Sequence, residues 1–149
     1  MSWELKYVDG DLIRDAEDYD VIAHGCNCFH SFGAGIAKTI RLKYPEAHGV
    51  DKSTRYGDRD KMGTISICNT DNVTIINAYT QFKYTSIQLD VEYDAVRSCM
   101  KLIKEQFSGK KIGLPLIGCG LAGGDWDVVS KIIEEELEGE DVTIVKFKK

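Results

Sequence analysis

The sequence predicts an α/β fold built on a mixed sheet with helices on both faces, and three observations carry that prediction. Short apolar runs of strand length are interspersed with amphipathic stretches of helix length, in the order β, β, α, β, β, α, β, α, β. Twice an apolar run passes through a glycine-rich loop straight into a helical pattern, which implies parallel crossovers. Two β-rich runs are separated only by Asn69-Thr70-Asp71-Asn72, a turn signal that implies a hairpin.

Trp3 to Val8 alternates as a first strand, and Val21-Ile22-Ala23 makes the segment from Asp20 to Cys26 a buried one. After a loop from Asn27 to Gly35, the spacing of Ile36, Ile40 and Tyr44 predicts a helix that Pro45 ends. The polar stretch from Asp51 to Lys61 is expected to be an exposed connection. Gly63 to Cys68 and Val73 to Tyr79 form the hairpin strands. Asp90 to Phe107 is the longest helix, with Val91, Ala95, Cys99, Ile103 and Phe107 on one face and Gly109 just past its end. Lys111 to Ile117 is the next strand, and Gly118 to Gly124 the second glycine-rich loop. Asp125 is placed to cap a helix that buries Trp126, Val129, Ile133 and Leu137. Val142 to Phe147 is the last strand.

The length of 149 residues fits one domain with a core large enough to need no staples. With 43% hydrophobic and 29% charged residues, the composition is that of a globular chain. A formal net charge of −5 argues against bulk binding to nucleic-acid backbone but leaves room for a small anion held by backbone amides. The five cysteines, Cys26, Cys28, Cys68, Cys99 and Cys119, are odd in number and irregularly spaced, as reduced thiols are. Cys26-Asn27-Cys28 is too tight for a zinc knuckle and has no second pair at ligand spacing, so neither metal nor cofactor is expected. The N-terminal residues carry no apolar signal core, and no run reaches membrane-spanning length. A cytoplasmic monomer without a membrane partner, or a viral protein acting in a cytoplasm, is the expectation.

Open α/β sheets bind ligands beyond the carboxyl ends of their strands, where both glycine loops fall. The first is His24-Gly25-Cys26-Asn27-Cys28-Phe29-His30-Ser31-Phe32-Gly33-Ala34-Gly35-Ile36-Ala37, and the second Gly118-Cys119-Gly120-Leu121-Ala122-Gly123-Gly124-Asp125-Trp126. Glycine lets amides approach a ligand, and each following helix adds its positive end. Two such loops suit a diphosphate. Neither ends in Gly-Lys-Ser/Thr as a P-loop does, and neither carries the dinucleotide-binding Gly-x-Gly-x-x-Gly in its required context.

Val8-Asp9-Gly10-Asp11-Leu12, the two loops, Asn77-Ala78-Tyr79-Thr80-Gln81 and Leu114-Pro115-Leu116-Ile117 together resemble the macrodomain family, in the same order and over nearly the whole chain. The resemblance is strongest to the branch containing the yeast-type ADP-ribose-1″-phosphate phosphatases and the small hydrolases that remove ADP-ribose from glutamate. It implies a three-layer α/β/α fold with a central mixed, mostly parallel sheet, and ADP-ribose or ADP-ribose-1″-phosphate as ligand. It further implies that Asp11, beside Leu12, reads the adenine amino group, although Gly-Asp also suits a turn or helix cap. Asn27 faces the distal ribose, and Gly33, Ala34, Gly35 and Ile36 with Gly118, Cys119, Gly120 and Leu121 enclose the phosphates; Ser31, Thr80 and Ala122 complete the expected ligand-binding set. His24 corresponds to a histidine implicated in phosphatase catalysis, with a buried structural role as the alternative.

The chain also departs from the family. Gln81 stands where the glycohydrolases carry lysine, Ala122 where they carry an acid, and Gly118 where the yeast-type phosphatase carries one. Asp125 is the nearest carboxylate left in the loop, as a water-positioning group or a helix cap. The expected activity is hydrolysis of the 1″-phosphate by His24 and Asp125 without metal. The alternatives are a mono-ADP-ribosyl hydrolase acting on modified protein or nucleic acid, and a binding module without chemistry. Tyr84 to Leu89 is a candidate lid.

Overall fold

The computed structural model describes residues 3–84, 90–120 and 122–148; Leu121 and most of the candidate lid, 85–89, lie outside them. Six strands form one sheet in the order β1 (Lys6–Gly10), β6 (Asp141–Phe147), β5 (Lys111–Leu114), β2 (Val21–Cys26), β4 (Thr74–Tyr79) and β3 (Ile65–Asn69). Every neighbouring pair is parallel except β3 with β4, the expected hairpin. Among the described residues four α-helices, α1 (Gly35–Lys43), α2 (Pro45–Lys52), α3 (Tyr93–Phe107) and α4 (Trp126–Glu136), cover the two faces and make three layers.

Strand β2 shows why its sequence is a continuous apolar run. Val21 and Ala23 join a core with Val96 and Met100 of α3 and Ile133 of α4, while Ile22 and Cys26 join a second core with Ile40 of α1 and Ala47 of α2. A strand buried on both faces has no polar side to alternate with. In α4 the Asp125 carboxylate accepts from the Asp127 amide at 2.9 Å, the N-cap its position implies.

Two expectations change. Pro45 ends α1 but also opens α2, as the first residue of a helix where its missing N–H costs nothing. The stretch from Asp51 to Lys61 is exposed only between its ends: Asp51 is 0% and Lys61 7% exposed. Their charge argues for solvent when read as composition, yet both pack around Tyr79, whose ring lies under the Lys61 ammonium at 4.4 Å and whose hydroxyl meets Asp51.

Candidate functional site

The carboxyl ends of β1, β2, β4, β5 and β6 share one rim of the sheet, and the neighbours β2 and β5 feed the two glycine loops side by side. At three of their glycines the surroundings leave no room for a side chain. A β-carbon on Gly25 would lie 2.7 Å from Thr80 Oγ1, and one on Gly124 2.5 Å from the Gly118 carbonyl oxygen. Gly118 has φ +75° and would drive a β-carbon to 2.7 Å from Val91 Cγ2. Gly118→Ala is therefore expected to destabilise the fold by about 1–3 kcal/mol, through left-handed strain and overpacking. Urea unfolding reads this directly; an unchanged midpoint would show that Val91 gives way.

Asn27 organises the first loop. Its Oδ1 accepts from the amides of Phe29 at 2.9 Å and Ser31 at 3.3 Å, and its Nδ2 donates to the Ser31 carbonyl at 3.0 Å. This turn presents Gly33, Ala34 and Gly35 to solvent at the start of α1, whose first turn carries no acidic side chain. Among the described residues, the amides of Gly33, Ala34, Gly35 and Ile36 have no backbone or side-chain acceptor. Free amides and the positive end of a nine-residue helix make a seat for an anion. The Ile36 side chain packs inward against the second core.

The second loop is held from outside. Gly124 donates to the Gly118 carbonyl at 2.8 Å, and the amides of Asp90 and Val91 both donate to the Ala122 carbonyl, at 2.9 and 3.3 Å. Ala122 is buried, Gly120 and Asp125 are exposed, and Cys119 lies between. Gln81, at the end of β4, bridges to Val91 and donates through Nε2 to the Lys83 carbonyl at 2.7 Å.

Among the described residues, two polar atoms at this junction are buried without a hydrogen-bond partner: Thr80 Oγ1, beside Gly25, and Asp90 Oδ2. Asp90 was legible only as the start of a helix. It precedes α3, is 8% exposed, and its amide sits on the carbonyl of Ala122, the position where the glycohydrolases carry their acid. An unsatisfied buried carboxylate oxygen is costly, and such atoms gather where a ligand or water completes the shell.

At the far end of the rim, Asp11 Oδ1 accepts from the amides of Ile13 and Arg14, each at 3.1 Å, leaving Oδ2 without a partner among the described residues. Leu12 is buried in the second core, so only its backbone faces the rim. Phe147, level with Gly10 in the β1–β6 register, is 69% exposed beside this turn. An aromatic ring left in water at a strand end is a surface on which a flat ring can stack, and the strand pattern alone does not reveal it.

His24 does not join the rim. The strand runs two residues past it to Cys26, so the histidine lies inside the sheet and faces α1 and α2. It is 0% exposed, its Nε2 lies 2.8 Å from Asn77 Oδ1, and its ring packs edge-on against Phe32 at 5.2 Å. An amide oxygen only accepts, so Nε2 carries the proton. The chain of bonds continues: Asn77 Nδ2 donates to Ser66 Oγ at 3.0 Å, Ser66 Oγ lies 2.9 Å from Tyr79 Oη, and Tyr79 donates to Asp51 Oδ1 at 2.7 Å. Burial pushes the imidazole down to about 4 against the opposing pull of Asn77, so it is neutral. The structure thus places His24, expected as a catalytic residue, in the core and not on the rim.

The thiols are equally quiet. Burial raises Cys26 well above its ordinary value and Cys119 to about 11, the latter aided by Asp125, so neither supplies a thiolate near neutral pH.

The architecture is thus an α/β sheet with two glycine-rich loops over the carboxyl ends of its strands. The chain belongs to the Macro domain family, whose model matches residues 23–133. It is 32% identical over 152 residues to an uncharacterized 17.5 kDa protein of Enterobacteria phage T4, covering 96% of each chain. It is 30% identical to the human ADP-ribose glycohydrolase OARD1, over 96% of this chain and 90% of that one. To the ADP-ribose 1″-phosphate phosphatase of Candida albicans it is 26% identical, over 88% and 92%. A protein of unknown function from Bacteroides thetaiotaomicron superposes with a TM-score of 0.80 at 29% identity, over 98% of this chain and 99% of that one.

Proposed function

We propose that the 149 residues form a single macrodomain that binds ADP-ribose and hydrolyses ADP-ribose 1″-phosphate to ADP-ribose and inorganic phosphate. The diphosphate sits between the amides of residues 33–36 and the loop of residues 118–124. The adenine stacks on Phe147 and donates its amino group to Asp11 Oδ2. The distal ribose lies near Thr80 and the junction of the loops.

The observation that carries the hydrolytic reading is the buried, orphaned Oδ2 of Asp90, the residue whose backbone amide is bonded to the second loop at the Ala122 carbonyl. Asp90 is the carboxylate we assign to the role of the acid that the glycohydrolases carry at the Ala122 position. In the reaction, water attacks phosphorus, Asp90 takes its proton, and the P–O bond to the ribose breaks. The departing 1″-oxygen leaves as a hydroxyl with a proton returned by the carboxyl group. The loop amides stabilise the charge that builds on the phosphoryl oxygens. Asp125, exposed and engaged as a helix cap through one oxygen, orders water at the loop's outer edge.

The phosphatase reading is favoured over ADP-ribosyl hydrolysis because Gln81 has no charge to offer in place of lysine and its amide is engaged by Lys83. Incubation with ADP-ribose 1″-phosphate, with free phosphate measured, is expected to show turnover. Release of ADP-ribose from a modified protein or nucleic acid, with no phosphate released, would favour the glycohydrolase reading instead. Binding without either product would leave a reader module. Phe147→Ala is expected to weaken ADP-ribose about tenfold, a stacking loss of roughly 1–2 kcal/mol. Calorimetry tests this; unchanged affinity would move the adenine elsewhere.

A further inference from the structure

Asp51 and Lys61 are opposite charges buried around one tyrosine, and neither is fully paired. Asp51, in the last turn of α2, spends Oδ1 on the Tyr79 hydroxyl at 2.7 Å, while its Oδ2 is buried without a partner. Lys61 Nζ stands 4.4 Å from the centre of the same ring and is also buried without a hydrogen-bond partner. No ion pair within 4.0 Å joins them, although both act electrostatically on the thiol of Cys26. Two lone buried charges would each be strongly destabilising. A buried acceptor and a buried three-proton donor around one ring are groups that an internal water can join.

The segment these residues bracket is the brace of the first glycine loop. Two bonds cross from it to that loop, His30 Nε2 to the Thr54 carbonyl at 3.0 Å and the Gly57 amide to the Cys28 carbonyl at 2.7 Å, and a third comes from His48 just ahead of it, Nε2 to the His30 carbonyl at 2.8 Å. His30 itself holds φ +57°, a conformation that a non-glycine residue keeps only when its surroundings impose it. Asp51 and Lys61 pin the two ends of this brace to Tyr79 on β4.

We propose that Asp51 and Lys61 form a buried ion pair bridged by internal water against Tyr79, and that this clamp positions the first glycine loop for ligand. Both are positioning residues, for neither lies on the rim. The loop's role rests on the ADP-ribose-binding reading above, whereas the clamp itself does not.

The test combines a high-resolution crystal structure of the wild-type protein with a double-mutant cycle of Asp51→Asn, Lys61→Met and the two together. The expected structure has ordered water within hydrogen-bond reach of both Asp51 Oδ2 and Lys61 Nζ; a dry gap or a direct contact overturns the bridge. Each single variant strands one buried charge and is expected to lower Tm by about 10 °C. The double variant removes both charges and is expected to recover at least half of that loss. Strictly additive losses, or single variants as stable as the wild type, overturn the pairing. Single variants that do not fold beside a double variant that does support it, and failure of all three leaves the wild-type crystal structure to decide. ADP-ribose affinity, measured by calorimetry on folded variants at low temperature, is expected to fall at least tenfold in the singles and to return in the double. Singles that bind ADP-ribose as the wild type does overturn the positioning role. Wild-type protein that binds no ADP-ribose instead removes the functional reading, and the bridge and its coupling still stand or fall on the structure and on Tm.

Discussion

Asp90→Asn is expected to lower turnover of ADP-ribose 1″-phosphate by about 10²–10⁴-fold, the range that a general acid–base group contributes. ADP-ribose affinity is expected to change little. The substitution keeps the size of the side chain and removes only its capacity to take and return a proton. The backbone bonds from residues 90 and 91 to the Ala122 carbonyl do not depend on the side chain, so the second loop retains its support. Phosphate release under single-turnover conditions separates the chemical step from product release, and calorimetry measures binding on the same preparation. A variant that keeps wild-type turnover would take Asp90 out of the chemistry. A variant that loses affinity and turnover together would make it a binding group instead.

His24→Ala is expected to cost about 3 kcal/mol of stability, from the cavity and from Asn77 Oδ1 left without its donor in the core. The larger consequence lies in pH. Unfolded, the imidazole takes a proton below its ordinary value of 6.5; folded, it resists protonation until about 4, because it is buried. Between these values the unfolded chain binds more protons than the folded one. The contribution of neutral His24 is therefore complete above pH 6.5 and is lost as the pH falls through the window to about 4, a total on the order of 3 kcal/mol. The variant should be less stable at pH 8 and should lack that part of the slope at lower pH. Its turnover, measured cold on folded protein, is expected to stay within about tenfold of wild type, since the ring reaches no ligand. A catalytic histidine would behave oppositely, with a 10²–10⁴-fold drop at unchanged stability, on the order expected for a proton-transfer group.

The contrast between these two residues shows what the sequence could reveal. The glycine loops were legible because glycine marks backbone demands directly: Gly118 holds a positive φ, a β-carbon on Gly25 would strike Thr80, and one on Gly124 would strike the Gly118 carbonyl of its own loop. The hairpin, the parallel crossovers and the Asp125 cap were legible for similar reasons, since turn residues and periodicity are local. The burial of His24 was not legible because a strand has two faces, and one residue's position near a strand end does not say which face it takes or how far the strand runs. Asp90 was missed because nothing nearby in sequence relates it to Ala122; a chain crossover brings them together. Helix α2 was missed because Pro45 reads as a stop, and Gly49 and the charges around it weaken the helical pattern. Asp51 and Lys61 were taken for solvent-facing charges because composition does not reveal a shared buried tyrosine. Phe147 closed the last strand's apolar pattern, and its 69% exposure is visible only in three dimensions.

The most direct test of the account is a crystal structure of the protein grown with ADP-ribose, paired with a calorimetric titration. The account predicts saturable binding at one site. It places the diphosphate on the amides of residues 33–36 and the loop of residues 118–124, the adenine against Phe147 with its amino group on Asp11, and the distal ribose toward Thr80 and Asp90. No heat of binding, or a ligand seated away from both glycine loops, would contradict it.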